Sequence, residues 1–129
     1  MCAMTTKRIL VIDDEDGVRE IIQFSLEAAA GWDVLTAASG TEGLAIAQTQ
    51  QPDAIILDLM MPEMDGLATF EQLQANPVTE QIPTILLTAK AKVSEQQQFI
   101  DLGVKGTIAK PFKALELVKQ IREILNWSE

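Results

Sequence analysis

At 129 residues the chain fits one domain, and a hydrophobic content of 47% with only five prolines excludes a disordered one. Its net charge of −9 excludes broad binding to nucleic acid or to an anionic membrane surface, though not a specific protein partner. There is no histidine and one cysteine, Cys2, so zinc ligation is excluded and no intramolecular disulfide can form, which suits a reducing compartment. No apolar run approaches the roughly 18 residues of a membrane span. Near the N-terminus the one apolar run is interrupted by Asp13 and Asp14, which is not the layout of a signal peptide. The expectation is a cytoplasmic protein.

Residues 1–6 have no periodicity and read as a loose leader. Arg8-Ile9-Leu10-Val11-Ile12 is a buried-strand signal that ends on Asp13 and Asp14. Val18, Ile21, Ile22, Ser25, Leu26 and Ala29 then recur at helical spacing, and the helix stops at Gly31. A short strand covers 32–37, with Trp32 expected over the sheet edge or core. Ser39-Gly40 opens a second helix carrying Leu44 and Ile46, which ends near Gln51-Pro52.

The central strand covers 53–58, and its apolar run Ile55-Ile56-Leu57 leads straight into Asp58. A helix over about 66–75 carries Leu67, Phe70 and Leu73 and ends before Pro77. After a loop, Thr84-Ile85-Leu86-Leu87-Thr88 is the fourth strand. Ser94 with Gln97 has the form of a capping box, opening a helix that runs to Gly103. Gly106-Thr107-Ile108-Ala109 is a short fifth strand. Lys110-Pro111-Phe112 then turns into a last helix carrying Leu115, Val118, Ile121 and Leu125. Five strands alternating with five helices predict an α/β fold, with a parallel sheet and helices on both faces.

In a parallel sheet all strand C-termini lie along one edge, where such folds bind ligands. That edge gathers Asp13 and Asp14, Asp58, Thr88 and Lys110. Three crowded carboxylates repel one another unless cations are supplied. Mg²⁺ suits them, because it takes one or two carboxylates and keeps waters and phosphate oxygens as its other ligands. A carboxylate beside Mg²⁺, a lysine and a hydroxyl points to phosphoryl transfer onto the carboxylate. Asp58 is then the nucleophile, Lys110 neutralises charge, and Thr88 donates its hydroxyl hydrogen. Taken singly, each of these residues has a plainer reading: a helix cap, a strand-forming threonine, a solvated lysine. Their arrival on one edge in these chemical types is what favours the site.

The segments Val11-Ile12-Asp13-Asp14-Glu15, Asp58 through Gly66, Leu87-Thr88-Ala89 and Lys110-Pro111-Phe112 resemble the response-regulator receiver domain of two-component signalling. They span essentially the whole chain in that family's order and spacing. The resemblance implies a flavodoxin-like (βα)5 fold with strand order 2-1-3-4-5, an order that the hydrophobic pattern alone does not supply. It also implies that Asp58 accepts a phosphoryl group from a histidine kinase or a histidine phosphotransfer protein. Mg²⁺ is then held by Asp14, Asp58 and the backbone carbonyl of Met60, with Asp13 contributing through water. Lys110 pairs with Asp58 or the phosphoryl group, Thr88 moves towards that group on activation, and the Lys110-Pro111 peptide is expected to be cis.

By the same resemblance the chain is a signalling module, an enzyme only in promoting its own phosphorylation and slow dephosphorylation. The expectation is a receiver domain over 7–127 with no output domain, resembling the stand-alone chemotaxis regulators. It would work as a monomer or as a phosphorylation-dependent dimer. Output would then pass to a protein target through the fourth helix, fifth strand and fifth helix, with no direct nucleic-acid contact. One position departs from the family's common pattern: Thr107 stands three residues before the lysine, where many receivers carry a tyrosine or phenylalanine. Switching is therefore expected to rely on the loop after Thr88 and the helix near Ser94. Met60 and Lys90, two residues past Asp58 and Thr88, are expected to slow loss of the phosphoryl group.

Three other readings fit less well. A Mg²⁺-dependent phosphatase working through an aspartyl-phosphate would carry a second acid at the place of Met60. A flavin mononucleotide carrier would want a Ser/Thr/Gly-rich loop where Asp13-Asp14-Glu15-Asp16 stands. A phosphate-independent scaffold would not need the full set of five residues.

Overall fold

The structure, a computed structural model, describes residues 7–59, 66–88, 93–110 and 112–127, and the side chains of these except 93–96. In chain order the elements are β1 (Arg8–Ile12), α1 (Asp16–Ala30), β2 (Asp33–Ala37), α2 (Gly40–Gln50), β3 (Ala54–Asp58), α3 (Gly66–Ala75), β4 (Thr84–Thr88), α4 (Val93–Leu102), β5 (Gly106–Ala109) and α5 (Ala114–Leu125). All four strand pairings are parallel, and the order is β2-β1-β3-β4-β5.

The period of two along each strand divides the core into two layers. Ile9, Val11, Ile56, Ile85, Leu87 and Ile108 pack with Ile22 and Leu26 of α1 and Leu117, Val118 and Ile121 of α5. Leu10, Ile12, Ile55, Leu57 and Leu86 face the other way, against Ala47 of α2, Phe70 and Leu73 of α3 and Phe99 of α4. Both faces of the sheet are therefore covered, which is why the central strands read as unbroken apolar runs rather than alternating ones.

Several boundaries and faces differ in detail from the sequence pattern. Trp32 precedes β2 and is buried in the core, where its ring meets Trp127 edge-on at a centroid distance of 5.5 Å. The ring needs a buried partner more than strand pairing. Helix α2 turns Gly40, Gly43 and Ala47 inward, with Leu44 and Ile46 only partly buried, because small residues let the helix lie close to β1. In α1 the inward positions are Ile22, Ser25 and Leu26, while Ile21 and Ala29 face outward. In α5 Leu117 takes the core position and Leu115 is almost wholly exposed. Helix α4 begins at Val93, so Ser94 lies inside its first turn and the cap falls outside the described residues.

The helix ends follow ordinary capping chemistry. Gly31 closes α1 in the left-handed region at φ 67°, donating its N–H to the Glu27 carbonyl. Ser39 caps α2 by accepting the Glu42 N–H at 3.1 Å, and the Glu42 carboxylate accepts the Ala38 N–H in return.

Candidate functional site

The parallel register builds the site. Ile12 is paired with Leu57, Asp58 with Leu87, and Thr88 with Ala109. Asp13, Asp58, Thr88 and Lys110 consequently stand in a row where β1, β3, β4 and β5 end. Strand alternation adds a direction. Asp13 continues the parity of Ile9 and Val11, Asp58 that of Ile56, and Lys110 that of Ile108, all of which face the α1 and α5 side. Three charged groups are thereby sent towards one another before any specific contact is considered.

Asp13 is fully buried and each of its polar groups is engaged. Its N–H bonds the Ala37 carbonyl, and its own carbonyl accepts Arg19 Nη1 at 2.6 Å. Oδ1 accepts the Glu15 N–H at 2.9 Å and Oδ2 accepts Lys110 Nζ at 3.2 Å. This is how a buried carboxylate is kept tolerable. Asp14 follows it directly and is exposed.

Asp58 is 2% exposed, and its Oδ1 pairs with Lys110 Nζ at 3.2 Å. Lys110 thus spans both buried carboxylates. Its burial alone would lower the ammonium pKa, but the charges and hydrogen bonds of Asp13 and Asp58 outweigh that and raise it above the usual lysine value. Thr88, the last residue of β4, is likewise 2% exposed, and its carbonyl accepts the Lys110 N–H at 2.8 Å. That bond ties the lysine's backbone to the threonine's strand.

Asp13, Asp14 and Asp58 each offer a carboxylate oxygen, and these oxygens all lie within 4.8 Å of one another. An all-oxygen donor set in a chain without histidine fits a hard cation such as Mg²⁺. Met60, whose backbone carbonyl was expected to join the set, lies outside the described residues, as do Lys90 and Pro111 with its peptide bond. Thr107 is half-buried in β5.

Two residues at this edge escaped the sequence reading. Arg19 touches the Asp13 backbone carbonyl, for which side-chain patterns give no signal. Gly66 donates its N–H to the Leu59 carbonyl at 3.0 Å and packs on the Asp58–Leu59 peptide. In the sequence the Asp65-Gly66 pair is a turn signal, which does not foretell that close approach.

A family model for the response regulator receiver domain matches residues 9–122. The chain belongs to the response-regulator receiver family. Among curated relatives, the alkaline phosphatase synthesis transcriptional regulatory protein PhoP of Bacillus subtilis is 37% identical over 123 residues, 95% of this chain and 50% of that protein. The response regulator MprA of Mycobacterium sp. (strain KMS) is 39% identical over 119 residues, 92% of this chain and 50% of that protein. This receiver domain therefore spans about half the length of the curated relatives it matches. Among solved structures, the chemotaxis response regulator CheY4 of Vibrio cholerae superimposes with a TM-score of 0.86 at 31% identity, covering 93% of this chain and 99% of that one.

The strand order of the receiver domain is thus the flavodoxin-like order that the resemblance implied. Receiver domains bind Mg²⁺ at an acidic pocket, and this one carries a three-carboxylate cluster at the strand edge. No described helix is long and apolar enough to cross a membrane.

Proposed function

We propose that this chain is a phosphorylatable signalling domain in which Asp58 accepts a phosphoryl group from a histidine kinase or a histidine phosphotransfer protein. The observation that carries the reading is the Lys110 ammonium, held 3.2 Å from both Asp58 Oδ1 and Asp13 Oδ2 where the carboxylate oxygens converge. A carboxylate oxygen of Asp58 attacks phosphorus and forms the acyl-phosphate bond as the phosphorus–nitrogen bond to the donor imidazole breaks. The electron pair of that bond leaves with the imidazole, which takes up a proton. Lys110 offsets negative charge on the phosphoryl oxygens, and the Thr88 hydroxyl donates a hydrogen bond to one of them.

In this reading Asp14 and Asp58, with the Met60 backbone carbonyl, would hold Mg²⁺ directly. Asp13 already holds one protein donor on each carboxylate oxygen, which favours its contributing through water. When bound, Mg²⁺ neutralises charge on the transferring group. The cytoplasm is the compartment in which this chemistry and a lone cysteine, Cys2, both fit.

The finer reading is that the receiver domain over 7–127 works on its own, as a single-domain regulator. It is supported by a match running along 99% of the CheY4 chain. Output then passes by protein contact through α4, β5 and α5, where Ile100, Leu102 and Leu115 are exposed, and not through nucleic acid. Self-association, where it occurs, follows phosphorylation. The mass of the protein isolated from its source cells tests the single-domain part, since an attached output domain would add to it.

The test of the function is transfer from autophosphorylated histidine kinases and phosphotransfer proteins of the source organism. Label should leave one of them and appear on this chain, but not on Asp58→Ala. Label that stays on every donor, or that moves equally to Asp58→Ala, contradicts the reading.

A further inference from the structure

Arg19 ties together the two ends of the turn that carries the acidic cluster. Its Nη1 donates to the Asp13 carbonyl at 2.6 Å, and its Nη2 pairs with Asp16 Oδ1. Asp13 is the first residue beyond β1 and Asp16 is the first residue of α1, so one planar guanidinium spans the turn Asp13-Asp14-Glu15-Asp16. The Arg19 side chain is only 17% exposed, and its own N–H bonds the Glu15 carbonyl. The turn has a second, independent brace, the Glu15 N–H to Asp13 Oδ1 bond. Asp14, the exposed member of the cluster, lies between these braces in the chain.

We infer that Arg19 is a positioning residue for the ion: it fixes the Asp13–Asp16 turn so that the Asp14 carboxylate reaches the oxygens of Asp13 and Asp58. This rests on the reading of that cluster as the Mg²⁺ site. The physical case is that an ion demanding near-octahedral geometry binds well only where its ligands are already held, and groups holding ligands commonly matter by about ten- to a hundredfold in affinity. Arginine suits the task because its rigid fork can bond a carbonyl and a carboxylate at once, which a lysine ammonium on a flexible stem does less well.

The sign of the effect separates positioning from charge. Arg19 is itself a cation beside a cation site, so by charge alone its removal would tighten ion binding. Positioning requires removal to weaken it.

The experiment is calorimetric titration of the unphosphorylated full chain with MgCl2, and with MnCl2 as a second probe, for the parent, Arg19→Gln, Arg19→Lys and Asp14→Asn. Thermal unfolding without ion checks that each variant is folded. The inference expects Arg19→Gln to bind both ions about tenfold more weakly, with Arg19→Lys between it and the parent. Unchanged or tighter binding in a folded Arg19→Gln overturns it. If Arg19→Gln does not fold, Arg19→Lys decides: weaker binding supports the inference and parental binding overturns it. Failure of the parent to bind, or parental affinity in Asp14→Asn, overturns the ion-site reading itself and this inference with it.

Discussion

Gly66 lies so close to Asp58 that a β-carbon on it would stand 2.5 Å from the Asp58 carbonyl oxygen and 2.6 Å from the Leu59 α-carbon. Both neighbours are backbone atoms, which cannot rotate away as a side-chain end could. Gly66→Ala must therefore push α3 off the end of β3, or push Asp58 out of register. We expect a loss of about 2 kcal/mol in stability and slower phosphorylation at Asp58. Urea unfolding together with the rate of labelling checks this, and parental values in both would contradict the close approach.

Lys110 gives a prediction in pH. Its pKa is raised in the folded protein above the ordinary value near 10.5, because Asp13 and Asp58 outweigh the effect of burial. A raised folded pKa means stability that is fully present below the unfolded value and is lost as pH rises through the folded one. Lys110→Met should thus be less stable than the parent by about 1–3 kcal/mol at pH 7 without added ion, since it takes the ammonium away from two buried carboxylates. The gap should hold across neutral pH and close only above the ordinary lysine value. A gap that closes between pH 6 and 9 would point to another group.

Mg²⁺ itself should stabilise the fold. At a concentration ten times its dissociation constant a ligand that binds only the folded state adds about 1.4 kcal/mol, or roughly 3–5 °C in Tm for a domain of this size. Chelation should reverse the shift, and Asp14→Asn should not show it. Equal shifts in parent and variant would place the ion elsewhere.

Thr88 ends β4 almost wholly buried. If its hydroxyl supports the phosphoryl oxygens, Thr88→Ala should lower the labelling rate by roughly one to two orders of magnitude, while Thr88→Ser keeps most of it. Equal rates in all three would assign the threonine to strand packing alone.

Much of this was legible in the residue pattern. The runs over 9–12, 54–58 and 84–88 carry no alternation because both sheet faces are covered, and every residue in them is buried. The placement of the candidate residues was legible too: Asp58 and Thr88 end β3 and β4, and Asp13 and Lys110 directly follow β1 and β5 along the same edge, with Asp14 next in the chain. Other features are set by tertiary contact. Trp32 meets Trp127, which lies 95 residues away in the chain, a distance at which no local pattern operates. The inward face of α2 is made of Gly43 and Ala47 rather than its larger residues, because close approach to Ile12 decides there. Arg19 acts on a backbone carbonyl, which carries no residue identity to read.

Thr107 occupies the β5 position where an aromatic was expected by the family pattern. Switching through α4 instead predicts that amide exchange across Val93–Leu102 changes when a phosphoryl analogue is bound. The same protection with and without the analogue would count against it.

Every role proposed for this edge of the sheet depends on phosphoryl acceptance at Asp58. Its most direct measurement is intact mass after incubation with acetyl phosphate, with and without Mg²⁺, for the parent and Asp58→Ala. The account predicts a single phosphoryl adduct on the parent that requires Mg²⁺ and is missing from Asp58→Ala. An adduct of equal yield on Asp58→Ala, or one indifferent to Mg²⁺, would contradict it.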